Sequence, residues 1–299
     1  AILEKRTFLE KAKEMGWQIA NLPRAIMASF DLSFPFRQGL LGLKYPKVWF
    51  PAFVDMFKYF GNENAYQALK KEITTRPTYE LMDEFGLALT DIDAGLTKQE
   101  EAFMGAQLAE KVPAGVGKIV RASDRDYTGI ANKLRADIFD YFYDKAQDLG
   151  LDPEDNPKLL SSLTDFINSA TGRGKLGPFE SAAKLLNTAL FSPRLFSARL
   201  NFLNPLWYIK QDPFVRKESL KSFLTLLGVG TTVLTVAKKA GLEVGLDPRS
   251  SDFGKIKVGD TRIDIWGGFQ PYIRLGAQLI TGEYVSSVTK KKTKLGEGY

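Results

Sequence analysis

DPRSSDFGKIKVGDTRIDIWGGFQPYIRLGAQLITGEY, residues 247–284, contains the clearest β-hairpin signal in a sequence whose other patterns are mostly helical. The segments KIKV and TRIDI alternate apolar and polar residues and flank the two-residue loop Gly259-Asp260. A short Gly-containing loop between alternating segments is typical of a hairpin. Three cross-strand pairs follow from this loop: Val258 with Thr261, Ile256 with Ile263, and Lys255 with Asp264.

An isolated two-stranded ribbon is only marginally stable, so the hairpin needs support from other elements. We therefore expect its apolar face to rest on helices; this face comprises Ile256, Val258, Ile263 and Ile265. The polar residues Arg249, Asp252 and Asp264 have two interpretations, the rim of an active site or the polar edge of a hairpin that joins two helices. No histidine, metal set or phosphate loop accompanies them, so we favour the second interpretation.

Helical patterns dominate the rest of the chain. Three or four residues separate the apolar positions of the longest predicted helix, about 124–149, which Ser123 would cap. Proline is well tolerated at the first position of a helix because that N–H has no helical partner. The other predicted helices are 2–20, 48–60, one capped by Asn62, one over 100–111 with a capping box of Thr97 and Glu100, those starting near Pro157, Pro178 and Pro193, one from Pro213 to about Gly241, and 270–280.

The predicted fold class is mainly α, an irregular multi-helix fold with one β-hairpin at about 254–266. We divide the chain into two regions, 1–120 and 121–299, although one continuous domain is also consistent with the pattern. The first is helical with an aromatic, Gly/Pro-rich loop at 30–46, and the second holds the long helices, the hairpin and a basic tail. We expect the sequence to be a fragment of a much longer chain.

Composition restricts the chemistry available to the chain. The 299 residues include no cysteine and no histidine. Disulfides, thiolate nucleophiles, Ser-His-Asp triads and the usual zinc ligands are therefore excluded. The formal net charge of +6 permits an anionic partner without requiring one.

Two glycine-rich segments resemble nucleotide-binding motifs only in part. Gly172, Gly174 and Gly177 have the G-x-G-x-x-G spacing, but a predicted helix precedes them instead of a strand. The segment AGVGKIV lacks both the first glycine and the Ser/Thr of a phosphate-binding loop. We predict a helix-to-helix turn for the first segment, reject a phosphate loop for the second, and expect no cofactor.

Paired carboxylates occur at Asp91/Asp93 and at Asp152/Glu154/Asp155. Each group lies beside Gly or Pro, where Asp commonly forms local hydrogen bonds in turns. The first group lacks the bidentate Glu that completes a calcium loop. We expect both groups to be structural and predict no metal site and no catalytic residue.

SFLTLLGVGTTVLTVA, residues 222–237, is the longest uncharged run and is flanked by lysines on both sides. As a helix it would span roughly 24 Å, less than the ~30 Å hydrocarbon core of a bilayer. We favour a buried core helix and keep a second interpretation, a helix that enters a membrane after a conformational change. The candidate packing or membrane-active residues are Leu226, Gly228, Gly230, Thr232 and Val233.

Basic residues in two places are candidate contacts for phosphate or other anions. Arg194 and Arg199 lie among aromatic residues, where pairing with carboxylates or stacking on rings is the alternative. Lys290, Lys291 and Lys292 belong to the basic tail, which could also contact DNA non-specifically.

Four segments resemble a family of very large proteins of tailed bacteriophages that includes the "large polyvalent protein associated" helical domains. They are FDLSFPFRQG (30–39), SDRDYTGIANKLRADIFD (123–140), the segment from GRGKLG to NPLWY (172–208), and the hairpin segment (247–283). The resemblance implies a helical domain near the C-terminal end of a long chain that is packaged in the virion interior and ejected into the host with the DNA. It implies no catalytic motif in this segment.

On this resemblance the expected function is structural, as an internal virion protein segment near the portal. The expected partners are further copies of the chain, other virion core proteins and portal protein, together with non-specific DNA contact and, after ejection, host membrane contact. The expected location is the capsid interior, then the host envelope or cytoplasm. The alternative is a non-catalytic domain of a large phage polymerase, helicase or cell-wall hydrolase delivered with the DNA; the upstream reading frame would distinguish the two.

Overall fold

In a computed structural model of the chain, structure is described for residues 39–90, 114–182 and 192–296. These residues form a mainly α-helical fold with a few short antiparallel strands, as the sequence predicts. They divide into two compact units. The first unit contains the described residues between Lys47 and Asp155, and the second contains those up to Pro46 together with those from Asn156 onward.

The first unit is built from four α-helices among its described residues. They are α1 (Pro46–Gly61), α2 (Glu63–Thr74), α3 (Tyr79–Glu84) and α4 (Ala114–Asp148). Asn62 caps α2 as predicted, since its side chain accepts hydrogen bonds from the backbone N–H groups of Asn64 and Ala65. The core side chains of α1 and α2 include Trp49, Met56, Leu69 and Ile73.

The long helix α4 corrects two predictions. It begins at Ala114, about ten residues before the predicted start, and passes through Gly115, Gly117 and Ser123. Each internal glycine costs a helix only about 1 kcal/mol, which the rest of a long packed helix outweighs. The predicted division at 120/121 therefore falls inside α4, and the two units separate after Asp155 instead.

The second unit contains the remaining described elements. They are the 3₁₀ helices η1 (Leu40–Lys44) and η2 (Gly177–Ala182), the helices α5 (Pro157–Ala170), α6 (Pro193–Leu203), α7 (Pro205–Lys210), α8 (Pro213–Lys239) and α9 (Gln270–Thr281), and the strands β1 (Glu243–Val244), β2 (Lys255–Val258), β3 (Thr261–Asp264), β4 (Glu283–Val285) and β5 (Lys292–Lys294). The predicted proline starts of α5, α6 and α8 are confirmed, and α7 adds a fourth.

Aromatic rings from successive elements form the core of the second unit. The Phe202 ring of α6 lies 6.2 Å from that of Phe166 on α5 and 5.0 Å from that of Trp207 on α7. It also lies 6.0 Å from the ring of Phe223 on α8 and 6.3 Å from that of Phe269. Because Phe202 is 1% exposed, its loss would remove contacts to three helices and to Phe269 at once.

The predicted hairpin is confirmed in register. Strands β2 and β3 pair antiparallel, with Lys255 opposite Asp264, Ile256 opposite Ile263 and Val258 opposite Thr261. The sheet also has a third strand, β1, beside β2, and β4 pairs with β5 in a second sheet; neither was predicted.

The expectation that helices cover the apolar face of the hairpin is wrong for two of its four residues. Ile256 is buried and β2 contacts α8. Val258 and Ile263 are 47% and 44% exposed. The contact with α8 therefore covers only part of the hairpin's apolar face.

Several predictions lie outside the described residues. They are the helix at 2–20, the part of the aromatic loop before residue 39, the carboxylates Asp91 and Asp93, and the helix at 100–111 with its Thr97 capping box.

Candidate functional site

Helix α8, at about 40 Å for its 27 residues, is buried along one stripe only. The buried residues are Val215, Glu218, Ser219, Ser222, Leu226, Gly230 and Ala237. Near its start, Lys44 Nζ of the η1 segment lies 2.7 Å from the Glu218 carboxylate, and the Tyr45 hydroxyl lies 3.0 Å from Ser222 Oγ. This stripe attaches α8 to the rest of the second unit.

The remaining surface of α8 between residues 222 and 237 is exposed and uncharged. We call it the uncharged surface of α8; its exposed residues are Leu224, Gly228, Val229, Thr231, Thr232, Val233, Thr235 and Val236. Leu224 is 55% exposed and Val236 is 61% exposed. A long exposed helix face without charged residues is unusual where water is the only neighbour.

The threonine hydroxyls of this surface bond to their own helix. Thr231 Oγ1 donates to the carbonyl of Leu227 at 2.9 Å, Thr232 Oγ1 to that of Gly228 at 2.8 Å, and Thr235 Oγ1 to that of Thr231 at 2.7 Å. Each hydroxyl is thus satisfied without water or a partner. The uncharged surface of α8 can therefore enter an apolar environment with no unpaired hydroxyl donor.

The prediction of a buried core helix at 222–237 holds for one stripe and is wrong for the rest. Among the described residues, α8 alone is long and apolar enough to cross a membrane, with a mean hydropathy of 1.5, and 28% of its apolar window is buried. Of the candidate residues, Leu226 and Gly230 are buried, whereas Gly228, Thr232 and Val233 are exposed. The spacing of apolar residues shows which residues share a face of a helix. It does not show how many of those faces are covered by other elements.

Residues 243–294 form a segment that we call the clasp, which comprises β1 to β5 and α9. Trp266 anchors it to α8: its indole N–H donates to the carbonyl of Gly254 at 2.9 Å, and its ring lies against Gly230. A Cβ on Gly230 would lie 2.5 Å from the Trp266 ring. Glycine at 230 is therefore what allows the ring to approach the helix so closely.

Arg199 fixes the clasp to α6. Its Nε donates to the carbonyl of Gly267 at 2.8 Å, and its guanidinium lies 4.7 Å from the centre of the Phe269 ring. Arg199 is 1% exposed, and Arg194 forms a 2.8 Å ion pair with Glu180. The stacking and pairing interpretation is thus confirmed for these two arginines, and burial keeps Arg199 away from any external phosphate.

The polar residues of the hairpin segment mostly bind within the clasp. Arg249 bonds to Asp247 at 3.0 Å and to Glu283 at 2.6 Å, joining the segment before β2 to β4. The hydrogen bonds from Arg249 lower the pKa of the Asp247 carboxyl below its usual value. Asp264 accepts from the backbone N–H of Trp266. These contacts agree with a structural role for Arg249 and Asp264.

Asp252 lies instead in the wall of a cavity of about 270 Å³ in the clasp, which we call the clasp pocket. The basic side chains that line it are Lys255, Lys257, Arg262, Lys290 and Lys292. Its acidic side chains are Glu243, Asp247 and Asp252. Two of the three lysines predicted as anion contacts, Lys290 and Lys292, are thus brought to one cavity, whereas Lys291 is exposed outside its lining.

The weaker sequence motifs form ordinary local structure. Residues 171–176 form a turn between α5 and η2, where a Cβ on Gly174 would lie 2.3 Å from the backbone N of Ala198. AGVGKIV is the start of α4 and not a loop. Asp152 Oδ1 accepts from the N–H of Glu154, as expected for a turn. Within the described ranges, no cluster of three or more acidic side chains could hold a metal ion.

Comparison of the chain with protein-family models, with curated proteins and with solved structures finds no match. The candidate sites are therefore the two that the geometry defines, the uncharged surface of α8 and the clasp pocket. The segment that forms the uncharged surface of α8 was predicted from the sequence. Lys255, Lys257 and Arg262 of the clasp pocket were not predicted as site residues, although their alternation on β2 and β3 places these cations on one face of the hairpin.

Proposed function

We propose that this chain is a structural module of an internal virion protein of a tailed bacteriophage, packaged near the portal and ejected into the host with the genome. The proposal rests on the sequence resemblance together with one observation, the uncharged surface of α8. An exposed apolar helix face is costly in water and is expected to be covered by a partner. In a virion core, the partners would be further copies of the chain, other core proteins or the portal protein.

Neighbouring elements extend the apolar character of the second unit. Leu206 and Ile209 of α7 are 62% and 61% exposed, and Leu279 and Ile280 of α9 are 67% and 88% exposed. Side chains of this kind contribute about 25 cal/mol for each Å² that a partner removes from water. Several exposed apolar sites on one small unit are consistent with a module that is held by surrounding subunits.

The composition is compatible with passage through a narrow channel. The chain contains no cysteine, so no disulfide has to be reduced before the chain unfolds. Its described elements are helices and short strands, whose contacts are largely local and therefore re-form quickly. These features support ejection as an extended chain followed by refolding in the host.

The location is tested by mass spectrometry of purified virions and of infected cells. We expect peptides of the chain in virions of the phage that encodes it, at a copy number consistent with a core protein. Detection in infected cells but never in purified virions would contradict the proposal.

The role of α8 is tested by Leu224→Lys in the phage genome. Leu224 is 55% exposed, so the variant should fold, but the charge should reduce incorporation of the chain into virions. Leu149→Lys is a matched control, since Leu149 is 62% exposed on the first unit. Equal incorporation of both variants would show that the uncharged surface of α8 is not an assembly surface.

Membrane contact after ejection is a second candidate role for the same helix. It is favoured by the mean hydropathy of 1.5 and by the self-satisfied threonine hydroxyls. The test is flotation of the chain with liposomes of anionic phospholipid. Val229→Lys should prevent co-flotation while leaving the soluble fold intact, because Val229 is 43% exposed. Unchanged flotation of this variant would exclude insertion through α8.

A further inference from the structure

The clasp pocket has more positive than negative charge. Five basic side chains and three carboxylates line it, which leaves an excess of two positive charges. Concentrating cations around one cavity is unfavourable without a compensating anion. From this charge and from the geometry below, we propose that the clasp pocket binds a small phosphate-bearing anion, a chemistry that the structural role proposed above does not require.

The carboxylates of the pocket neutralise only part of its basic lining. Glu243 pairs with Lys257 at 2.9 Å, and Asp252 Oδ1 accepts from Arg262 Nε at 2.7 Å. Lys257 also holds the pKa of the Glu243 carboxyl below its usual value. No acidic side chain of the described chain lies within ion-pair distance of Lys255 or Lys292. The charge of Lys292 helps to lower the pKa of the nearby Asp247 carboxyl, but no ion pair among the described residues holds either ammonium group, so both can bind a ligand.

The backbone brings the cations together from two sheets. Lys255 and Lys257 alternate on β2, so their side chains share one face, and Arg262 lies directly opposite Lys257 on β3. Two like charges at directly opposed positions destabilise a sheet. Lys292 lies at the start of β5 in the other sheet. Glu243 and Asp252 offset part of this repulsion through their ion pairs with Lys257 and Arg262, and an anion between the sheets would offset the rest.

Lys290 adds an independent backbone observation. It is the one non-glycine residue with a positive φ, +58°, in the part of the chain that the structure describes. The left-handed conformation is unfavourable for a residue with a Cβ, and such outliers concentrate at functional sites. Here it places the Lys290 ammonium 3.6 Å from Asp252 Oδ2, at the pocket wall.

The size and donor set favour phosphate. A cavity of about 270 Å³ admits a phosphate group with a small substituent but not a nucleic-acid duplex. Several ammonium groups and a guanidinium surround it, and a tetrahedral phosphate offers more acceptor oxygens to such a set than a carboxylate does. A phosphomonoester, with about two negative charges at neutral pH, matches the excess of positive charge, and diphosphate carries still more negative charge.

The test is isothermal titration of the folded chain with inorganic phosphate and with diphosphate at low ionic strength. We expect one diphosphate per chain and weaker binding of inorganic phosphate. Lys292→Gln and Lys255→Gln should each weaken diphosphate binding by about tenfold. Lys291→Gln is the matched control, because Lys291 neighbours Lys292 but lies outside the pocket lining, and it should change affinity less than about twofold. Circular dichroism establishes that each variant is folded.

Three results would overturn the proposal. The first is the absence of any heat of binding between the folded chain and either anion at millimolar concentration. The second is a loss of binding in Lys291→Gln equal to that in Lys292→Gln, which would indicate a diffuse basic surface. The third is binding of duplex DNA with a steep salt dependence but no binding of diphosphate, which would assign these lysines to non-specific DNA contact. Detection of the chain in virions is independent of all three, so this proposal and the proposed function can fail separately.

Discussion

The two long helices of this protein invert the usual relation between charge and burial. Helix α4 carries many charged residues, yet its central part from Asp126 to Ala146 is largely buried in the first unit. Helix α8 has no charged residue between 222 and 237, yet half of the residues in that stretch are exposed in the second unit. The polarity of a helix therefore does not determine whether the helix is buried. Its burial depends on which elements of the fold pack against it.

Hydrogen bonding makes the burial of α4 tolerable. Asn132 accepts from the backbone N–H of Thr90 at 2.9 Å and donates to its carbonyl at 2.6 Å, so both backbone groups are satisfied by one amide. Arg135 donates to the carbonyl of Ala88 at 2.7 Å. Arg76 of the α2–α3 connection pairs with Asp137 at 2.6 Å and with Asp140 at 2.8 Å. Buried polar groups with partners of this kind fix the packing of the segments that they join.

The largest expected effect comes from placing a charge in the buried stripe of α8. Leu226 is 3% exposed, so Leu226→Lys buries an unpaired ammonium and should destabilise the second unit by about 4 kcal/mol or more. Val229→Lys, three residues away and 43% exposed, should change the free energy of unfolding by less than about 0.5 kcal/mol. Chemical denaturation of both variants measures the contrast; equal losses would mean that α8 is buried on both faces.

A smaller loss is expected on α4 from Asn132→Ala. The substitution leaves the backbone N–H and carbonyl of Thr90 without their shared partner in a buried place, which should cost about 2–4 kcal/mol. Gln67→Ala is a control, because the Gln67 amide bonds to Glu63 on an exposed face. A stability loss at Asn132 no greater than that at Gln67 would show that water replaces the amide.

Asp126 should make the stability of the first unit depend on pH. Burial raises the pKa of its carboxyl to about 7, above the unfolded value of about 3.9. The folded state thus holds the proton more tightly, so the stabilising contribution is complete below about pH 4 and is lost as pH rises through 7. The expected loss between pH 5 and 7 is about 2 kcal/mol. Denaturation at several pH values should show this slope in the native chain and not in Asp126→Asn; a slope that persists in the variant would assign it to another group.

The smallest expected changes in stability come from replacing two glycines of α8 by alanine, and the two changes should have opposite signs. Gly230→Ala pushes a methyl into the Trp266 ring, which the hydrogen bond to Gly254 holds in place, and should cost about 1–3 kcal/mol. Gly228→Ala meets no atom within 4 Å and should stabilise the helix by about 0.5–1 kcal/mol. Thermal unfolding midpoints compare the two; a stabilising Gly230→Ala would mean that Trp266 does not pack on α8.

Local chemistry made the elements predictable. Prolines with capping residues before them marked the starts of α5, α6 and α8, and the Gly259-Asp260 loop set the register of β2 and β3. The start of α4 was missed because the glycines near residue 115 signal a break locally, whereas the completed helix tolerates them. Strands β4 and β5 were missed because a pair of three-residue strands has too short a pattern to be recognised.

The candidate sites were predictable only in part. The uncharged run 222–237 and the lysines at 290–292 were visible in the sequence, but their settings were not. The clasp pocket joins Lys255 to Lys292, which lie far apart along the chain, through the pairing of two separate sheets. No local sequence pattern predicts that these two lysines line one cavity, because their proximity depends on the path of the chain through α9 and the turns between the two sheets.

The helical class of this protein, most helix starts and the register of its central hairpin follow from the amino-acid sequence, since they depend on contacts within a few residues. The exposure of the apolar helix α8, the burial of the charged helix α4 and the five cations around one cavity follow from tertiary packing. Burial of a side chain requires neighbours that pack against it and satisfy its hydrogen bonds. Many of these neighbours are distant in the sequence, and they come into contact only when the chain folds.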